Sequence, residues 1–124
     1  MTVADFRIAI HDLPAGAKQV VLSGDVDVRA APELKECLLG LAEGGHTRIL
    51  VDLTDAAFID STALGALLDA ARQLRQRRGR LVVLCPNPQM RGLFELVGHN
   101  MIFPVEEQME RAQRHLGARR RGLR

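Results

Sequence analysis

Residues 49–68 read ILVDLTDAAFIDSTALGALL, and this stretch already predicts the fold class. Its first part, residues 49–51, is a short continuous apolar run, typical of central strands buried on both faces of a parallel sheet. Its second part begins an amphipathic helix that we expect to run from about Ser61 to Arg78. Another apolar run, residues 81–84, follows that helix. Because strands joined by a helix pair in parallel through a right-handed crossover, the stretch predicts an α/β fold.

The sequence on either side extends this pattern to about five strands and about four helices. Residues 6–10 and 19–22, which flank a turn at 14–16, predict an N-terminal antiparallel hairpin. Residues 23–27 predict a polar loop, and residues 102–103 predict the last short strand. Three further helices are predicted from apolar residues at helical spacing: Leu34, Cys37, Leu38 and Leu41; Met90, Leu93, Phe94 and Val97; and Val105, Met109, Ala112 and Leu116. The sheet is therefore expected to be mixed but mostly parallel.

Length and composition limit the class of protein. A chain of 124 residues has room for one domain, which we place at residues 5–117, followed by a basic tail at 118–124 that we expect to be disordered. The net charge of +2 is too small to indicate a polyanionic partner, and the chain has no Trp or Tyr on which bases could stack. The arginines within residues 72–80 are expected to form a solvated helix end. We therefore predict no direct binding of nucleic acid.

The cysteines and the hydropathy pattern predict a cytoplasmic protein. Cys37 and Cys85 lack the spacing of a redox or zinc site, and we expect buried thiols in a reducing compartment. No signal peptide is recognisable at the start, and no apolar run approaches membrane-spanning length. The sequence also lacks a phosphate-binding GxxxxGK[ST] loop and metal-ligand spacing among its histidines. We predict no cofactor, no metal and no membrane contact.

Polar residues follow three of the predicted strands. Asp25 and Asp27 follow the second strand, Ser61 closes the loop after the third, and Asn87 follows the strand at 81–84. In open α/β sheets, functional groups collect in the loops beyond the carboxyl ends of the strands. We therefore expect these residues to share one rim of the domain.

Ser61 is the most informative residue of this rim, and three roles are open to it. A serine at a helix start can cap the helix, as can the preceding Asp60. A nucleophilic role is disfavoured, because the sequence lacks a GxSxG elbow and has no histidine near Ser61. A phosphate on Ser61 would meet the unpaired N–H groups of the helix and would be repelled by nearby carboxylates. Spacing alone favours the cap and leaves the phosphoacceptor open.

Several motifs occur in the order seen in a known family: LSGDVD at 22–27, ILVDL at 49–53, FIDSTALG at 58–65, GRLVV at 79–83 and LF at 93–94. Through them the chain resembles the STAS-domain anti-sigma factor antagonists of bacteria, over roughly residues 6–116. The resemblance implies a single STAS-like α/β domain that is not an enzyme. It also implies a regulator of transcription that acts through a sigma factor, as in stress responses.

The resemblance further implies a partner switch. Members of the family bind an anti-sigma factor that is also a serine kinase, and so free a sigma factor for transcription. The kinase phosphorylates the serine of the D-S-[ST] motif, which is Ser61 here, and this releases the antagonist until a phosphatase resets it. By the same match, Asp60 and Thr62 flank the modified serine, and Asp25 and Asp27 correspond to acidic residues near the kinase contact. Whether the protein also forms a homodimer stays open.

The chain departs from the family pattern at two places. Ala63 stands where the family usually has glycine, which would alter how closely a kinase approaches the helix. Ala30 and Ala31 stand where Ser or Thr often caps the first helix, a cap weaker by about 1 kcal/mol.

Two alternatives to the switch stay open. One is a STAS subunit of a transporter-associated or stressosome-like assembly without a phospho-switch. The other is a small hydrolase that uses Ser61, which the missing elbow and the missing base disfavour.

Overall fold

Five strands and four α-helices are described in a computed structural model of the chain, which describes residues 5–96 and 102–117. The strands are β1 (Arg7–Asp12), β2 (Lys18–Val26), β3 (Arg48–Ile59), β4 (Arg80–Leu84) and β5 (Val105–Glu106). The helices are α1 (Ala31–Glu43), α2 (Ser61–Gln76), α3 (Pro88–Leu96) and α4 (Met109–Gly117). A short 3-10 turn at Pro14–Gly16 joins β1 to β2.

The strands form a single sheet in the order β1-β2-β3-β4-β5. β1 is antiparallel to β2, and the other neighbours are parallel. Each parallel pair is joined through one helix, because parallel strands need a long crossover connection. The predicted α/β domain with a mixed, mostly parallel sheet and an N-terminal hairpin is therefore confirmed.

The helices bury both faces of the central strands. Ile49 and Val51 join a large apolar cluster with α1, α2 and α3, whereas Leu50 joins a smaller cluster beneath α4. All three residues are completely buried, as the continuous apolar run predicts. Because successive side chains of a strand point to opposite faces, one run supplies both clusters.

The predicted polar loop at residues 23–27 is wrong, because β2 continues through Val26 and β3 through Ile59. Two register shifts, one before Ser23 and one after Gly24, keep the two strands paired. Gly24 has a φ of 82°, a left-handed conformation that glycine adopts without steric cost. These irregularities let polar, half-exposed residues stay in the sheet. Both strands therefore extend as far as the predicted site.

The last strand is Val105–Glu106 and not residues 102–103, so Val105 belongs to β5 and not to the final helix. Phe103 is buried and packs edge-on against Phe94, with ring centroids 6.0 Å apart and planes at 75°. The Phe103 side chain therefore packs in the core, and Phe103 is not part of a strand. The Cys85 N–H donates to the Glu106 carbonyl, which fixes the pairing of β4 with β5.

Helix α2 ends at Gln76, slightly before the predicted end at Arg78, whose φ of 62° is left-handed. The predicted end of the third helix at residues 97–98 and the tail at 118–124 lie outside the described residues. Within the part of the chain that is described, no helix is long and apolar enough to cross a bilayer.

The two cysteines are free thiols. Cys85 is completely buried after β4, and Cys37 is half-buried on α1. Burial raises the pKa of both thiols, and the carboxylate of Glu33 adds to the effect at Cys37. Both are therefore protonated near neutral pH and react weakly as nucleophiles.

Candidate functional site

The carboxyl ends of β2 and β3 bring the predicted site residues together. Asp25 pairs in register with Phe58, and Val26 pairs with Ile59. Beyond the strands, the Asp60 N–H donates to the Val26 carbonyl, with 3.1 Å between nitrogen and oxygen. The start of α2 is thus held beside the end of β2. We call this edge the β2–α2 rim, and it comprises Asp25, Asp27, Val28, Phe58, Asp60, Ser61 and Thr62.

Asp60 caps α2, and Ser61 is the first helical residue. The backbone of Asp60 is extended, and its carboxylate accepts a hydrogen bond of 2.9 Å from the Ala63 N–H. Its carbonyl accepts the first helical bond, from the Leu64 N–H at 2.9 Å. This is the geometry of an N-cap residue. Of the two candidate caps, Asp60 is therefore the one used, and the Ser61 hydroxyl is not needed for this role.

The hydroxyls of Ser61 and Thr62 face solvent. Both residues are exposed, and neither hydroxyl has a hydrogen-bond partner within residues 5–96 and 102–117. The N–H groups of the same two residues belong to the first turn of α2, where no helical acceptor exists for them. Ala63, the departure from the family pattern, is completely buried in the core. Its methyl group therefore contacts the core and not an approaching partner.

Replacing Asp60 by Ala is expected to lower the free energy of unfolding by about 1 kcal/mol, because the Ala63 N–H loses its acceptor. Asp60→Asn keeps the acceptor oxygen and should lose only a small part of this stability. Urea denaturation of the three proteins measures the difference. An Asp60→Ala protein as stable as the wild type would show that the cap contributes nothing.

Asp27 lies just beyond β2 and is held by Arg29. The Arg29 guanidinium donates to the Asp27 carboxylate from Nε at 3.2 Å and from Nη2 at 2.7 Å, and the Arg29 N–H donates at 3.0 Å. These hydrogen bonds and the attraction between the charges hold the pKa of Asp27 below its usual value, against a smaller opposing effect of burial. The Asp27 side chain is only 15% exposed, whereas that of Arg29 is 70% exposed. Asp27 is thus an anchored carboxylate whose partner arginine faces solvent.

Removing the Arg29 side chain is expected to raise the pKa of Asp27, because the side-chain hydrogen bonds and the positive charge that lower it are lost. A carboxyl with a lowered pKa in the folded state stabilises the fold above its ordinary pKa, and this contribution is lost as the pH falls through the lowered value. As the pH falls through this range, the free energies of unfolding of Arg29→Ala and the wild type should therefore converge. Titration of the Asp27 carboxyl carbon by NMR tests this, and an unchanged pKa would contradict it.

Carboxylates surround a small open cavity beside the rim. The cavity has a volume of about 230 Å³, and Phe6 and Ala30, which directly precedes α1, form part of its wall. Its acidic residues are Asp5, Asp25, Asp27 and Glu33. Arg29 is the one cation among the described residues that line it. The cavity is therefore acidic, and Asp25 and Asp27 belong both to it and to the rim.

Sequence reasoning missed the apolar part of the rim. Phe58 is 44% exposed and Val28 is 58% exposed, although large apolar side chains are usually buried. Val28 follows Asp25 by three residues, and Phe58 precedes Ser61 by three residues. Apolar side chains flanked by charged ones are typical of surfaces that bind other proteins. No local pattern signalled this exposure, because Ala57 and Phe58 at the end of β3 are both exposed and only Ile59 is buried.

The third predicted loop has a structural role. The Asn87 side chain accepts from the N–H groups of Gln89 at 2.8 Å and Met90 at 3.1 Å, so it caps α3. The Arg91 guanidinium donates to the carbonyls of Cys85 and Pro86 and so holds the loop. These polar groups are used within the loop, and we assign it no part in the rim.

The mixed sheet and its linking helices form an α/β domain with an exposed serine at the start of α2. The family model described as the STAS domain matches residues 12–112, and the chain belongs to this family. It is similar to the anti-sigma-B factor antagonist of Listeria monocytogenes, with 35% identity over 104 residues, which are 82% of this chain and 90% of that protein.

Two solved structures have a similar fold. An anti-sigma factor antagonist from Mycobacterium paratuberculosis has a TM-score of 0.81 and 22% identity, over 90% of this chain and 94% of that one. SpoIIAA of Bacillus in its phosphorylated form has a TM-score of 0.69 and 23% identity, over 88% and 99% of the two chains. At these identities the likeness concerns the fold alone. The Listeria relative is named as an antagonist of an anti-sigma factor, and that name gives no support to the hydrolase alternative for Ser61.

Proposed function

We propose that this protein is an anti-sigma factor antagonist whose β2–α2 rim binds an anti-sigma factor with serine-kinase activity. Phosphorylation of Ser61 by that kinase ends the binding, and a phosphatase restores it. The observation that carries the proposal is the exposed, unbonded Ser61 hydroxyl at the first position of α2. The Listeria relative, named as an antagonist of an anti-sigma factor, supports the choice of partner.

A phosphate on Ser61 would change the rim without unfolding the domain. It adds a charge of about −1.5 to −2 near neutral pH. The free N–H groups of Ser61 and Thr62 and the positive end of the helix dipole favour an anion at this position. Asp60 already uses the Ala63 N–H, so its carboxylate stays close and opposes the phosphate. The expected result is a folded domain with a much more negative rim.

The composition of the rim supports a protein partner. Phe58 and Val28 supply apolar contact area, and Asp25 and Asp27 supply negative charge beside it. A partner with a complementary surface would present apolar and basic groups, and added phosphate would then disturb a closely packed contact. The free thiols of Cys37 and Cys85 fit a reducing cytoplasm, where we place this exchange. SpoIIAA exists in a phosphorylated form, a fact about that protein which shows that the fold is compatible with the modification.

Incubation with ATP and the cognate kinase tests the proposal. We expect one phosphate per chain, which peptide mass spectrometry maps to Ser61. Ser61→Ala should remove the modification, and Thr62→Ala is the matched control, since it removes the neighbouring exposed hydroxyl and should leave the modification in place.

Two results would contradict the proposal. If the kinase fully modified Ser61→Ala at another residue, Ser61 would not be the phosphoacceptor. Stable binding of the kinase with no phosphate transfer to the chain would instead support a scaffold role without a phospho-switch.

A further inference from the structure

A second concave surface lies at the opposite end of α2 from Ser61. It is a cleft of about 540 Å³ between the end of α2, the start of β4 and the segment that leads into β5. Ligand sites in proteins usually occupy roughly 300–1,000 Å³ and combine apolar walls with a few polar groups. The size of the cleft is therefore within the range of a small-molecule site.

The floor of the cleft is apolar and recessed. Leu81 and Phe103 line it and are each only 2% exposed, and the half-buried Ile102 and Pro104 lie beside them. Phe103 is fixed by its edge-on contact with Phe94. Ile102 and Pro104 are therefore the apolar side chains of the cleft that a ligand can reach.

The mouth of the cleft is cationic. Arg75 is exposed, and its guanidinium has no hydrogen-bond or ion-pair partner within the described residues. Arg80 donates from one guanidinium nitrogen to the His115 carbonyl, and a guanidinium has five N–H donors, so others are free. The His115 ring is paired with Glu106 at 2.8 Å, and no carboxylate lines the cleft among the described residues. Two arginines are thus available to an anion at the edge of an apolar floor.

We propose that this cleft binds a small amphiphilic anion, with a phosphate or carboxylate head and a short apolar chain. Arg75 and Arg80 hold the head, because guanidinium groups bind such anions through paired hydrogen bonds. Ile102 and Pro104 contact its apolar chain. The site is separate from the β2–α2 rim and does not depend on the modification of Ser61.

Octyl phosphate, kept below the concentration at which it forms micelles, is the probe. Titration followed by two-dimensional NMR is expected to shift the amide signals of Gly79, Leu81 and Phe103. Inorganic phosphate and 1-octanol, which each present one half of the probe, should bind much more weakly. The full chain is used unmodified and without a partner, so the result is independent of the proposed switch.

Arg75→Gln is expected to weaken the binding of octyl phosphate about tenfold, since it removes a charged hydrogen-bond donor. Arg72→Gln is the matched control, because Arg72 is exposed on the same helix, faces Asp69 at 3.4 Å and does not line the cleft. It should leave the affinity unchanged. Absence of binding, equal weakening by both variants, or signal shifts confined to other surfaces would overturn the proposal.

Discussion

Replacing Gly79 by Ala is expected to lower the free energy of unfolding by about 3 kcal/mol, the largest effect of any single methyl group that we predict. An added Cβ at Gly79 would lie 2.1 Å from the Thr47 carbonyl oxygen and 2.6 Å from the Thr47 Cβ. The oxygen cannot easily move, because it accepts a hydrogen bond of 2.9 Å from the Arg80 N–H. The loop after α2 and the start of β3 would therefore have to separate where β4 enters the sheet.

Gly40→Ala is the matched control for this prediction. Gly40 lies inside α1, is exposed, and has no atom within 4 Å of an added Cβ. The same methyl group should stabilise the protein there by about 1 kcal/mol, because alanine is the better helix former. Thermal unfolding should show a Tm lower by about 10 °C or more for Gly79→Ala. Similar Tm values for the two variants would contradict the close approach of Gly79 to Thr47.

Ser61→Asp is expected to weaken binding to the cognate anti-sigma factor on the order of 100-fold, the upper range of typical coupling between a modification and a binding site. The substitution places a negative charge where the phosphate would be, directly after Asp60 and on the rim that also carries Asp25 and Asp27. It should not reduce stability, because a carboxylate in the first turn of a helix is favourable. Lost binding would therefore reflect the rim and not unfolding.

Two further variants separate charge at the rim from charge elsewhere. Ser61→Ala should keep the affinity of the wild type. Gln73→Glu adds one negative charge to the exposed side of the same helix, about 18 Å along its axis from Ser61, and should also bind normally. Calorimetric titration with the purified partner measures all four proteins. Equal weakening by Ser61→Asp and Gln73→Glu would indicate a general effect of net charge, and the rim would lose its assigned role.

Much of the fold could be predicted because apolar patterning is a local signal. The continuous runs at residues 49–51 and 81–84 identified central strands, and helical spacing identified the helix between them. The extension of β2 through Val26 could not be predicted in this way. Its serine, glycine and aspartate favour turns, and they stay in the sheet because β3 supplies a paired neighbour, which is a tertiary effect. Phe103 was misassigned for the same reason, since its apolar side chain packs against Phe94 in the core and not within a strand.

The candidate site was predicted in its polar residues and missed in its apolar ones. Asp60 and Ser61 are both good caps by composition, and only the extended backbone of Asp60 decides between them. The exposure of Phe58 and Val28 depends on which elements cover them, which no local pattern states. The arginines at the end of α2 looked like a solvated helix end, and the apolar floor beside Arg75 comes from residues far along the chain.

The central claim is that Ser61, on the β2–α2 rim, decides whether the partner is bound. It is tested most directly by separating the partner-bound and free forms of the protein from the cells that make it, and measuring the intact mass of each. The account predicts that the bound form carries no phosphate, that the free form carries one phosphate on Ser61, and that phosphatase treatment returns the free form to binding. Phosphate on Ser61 in the bound form, or a free form that stays unable to bind after dephosphorylation, would contradict it.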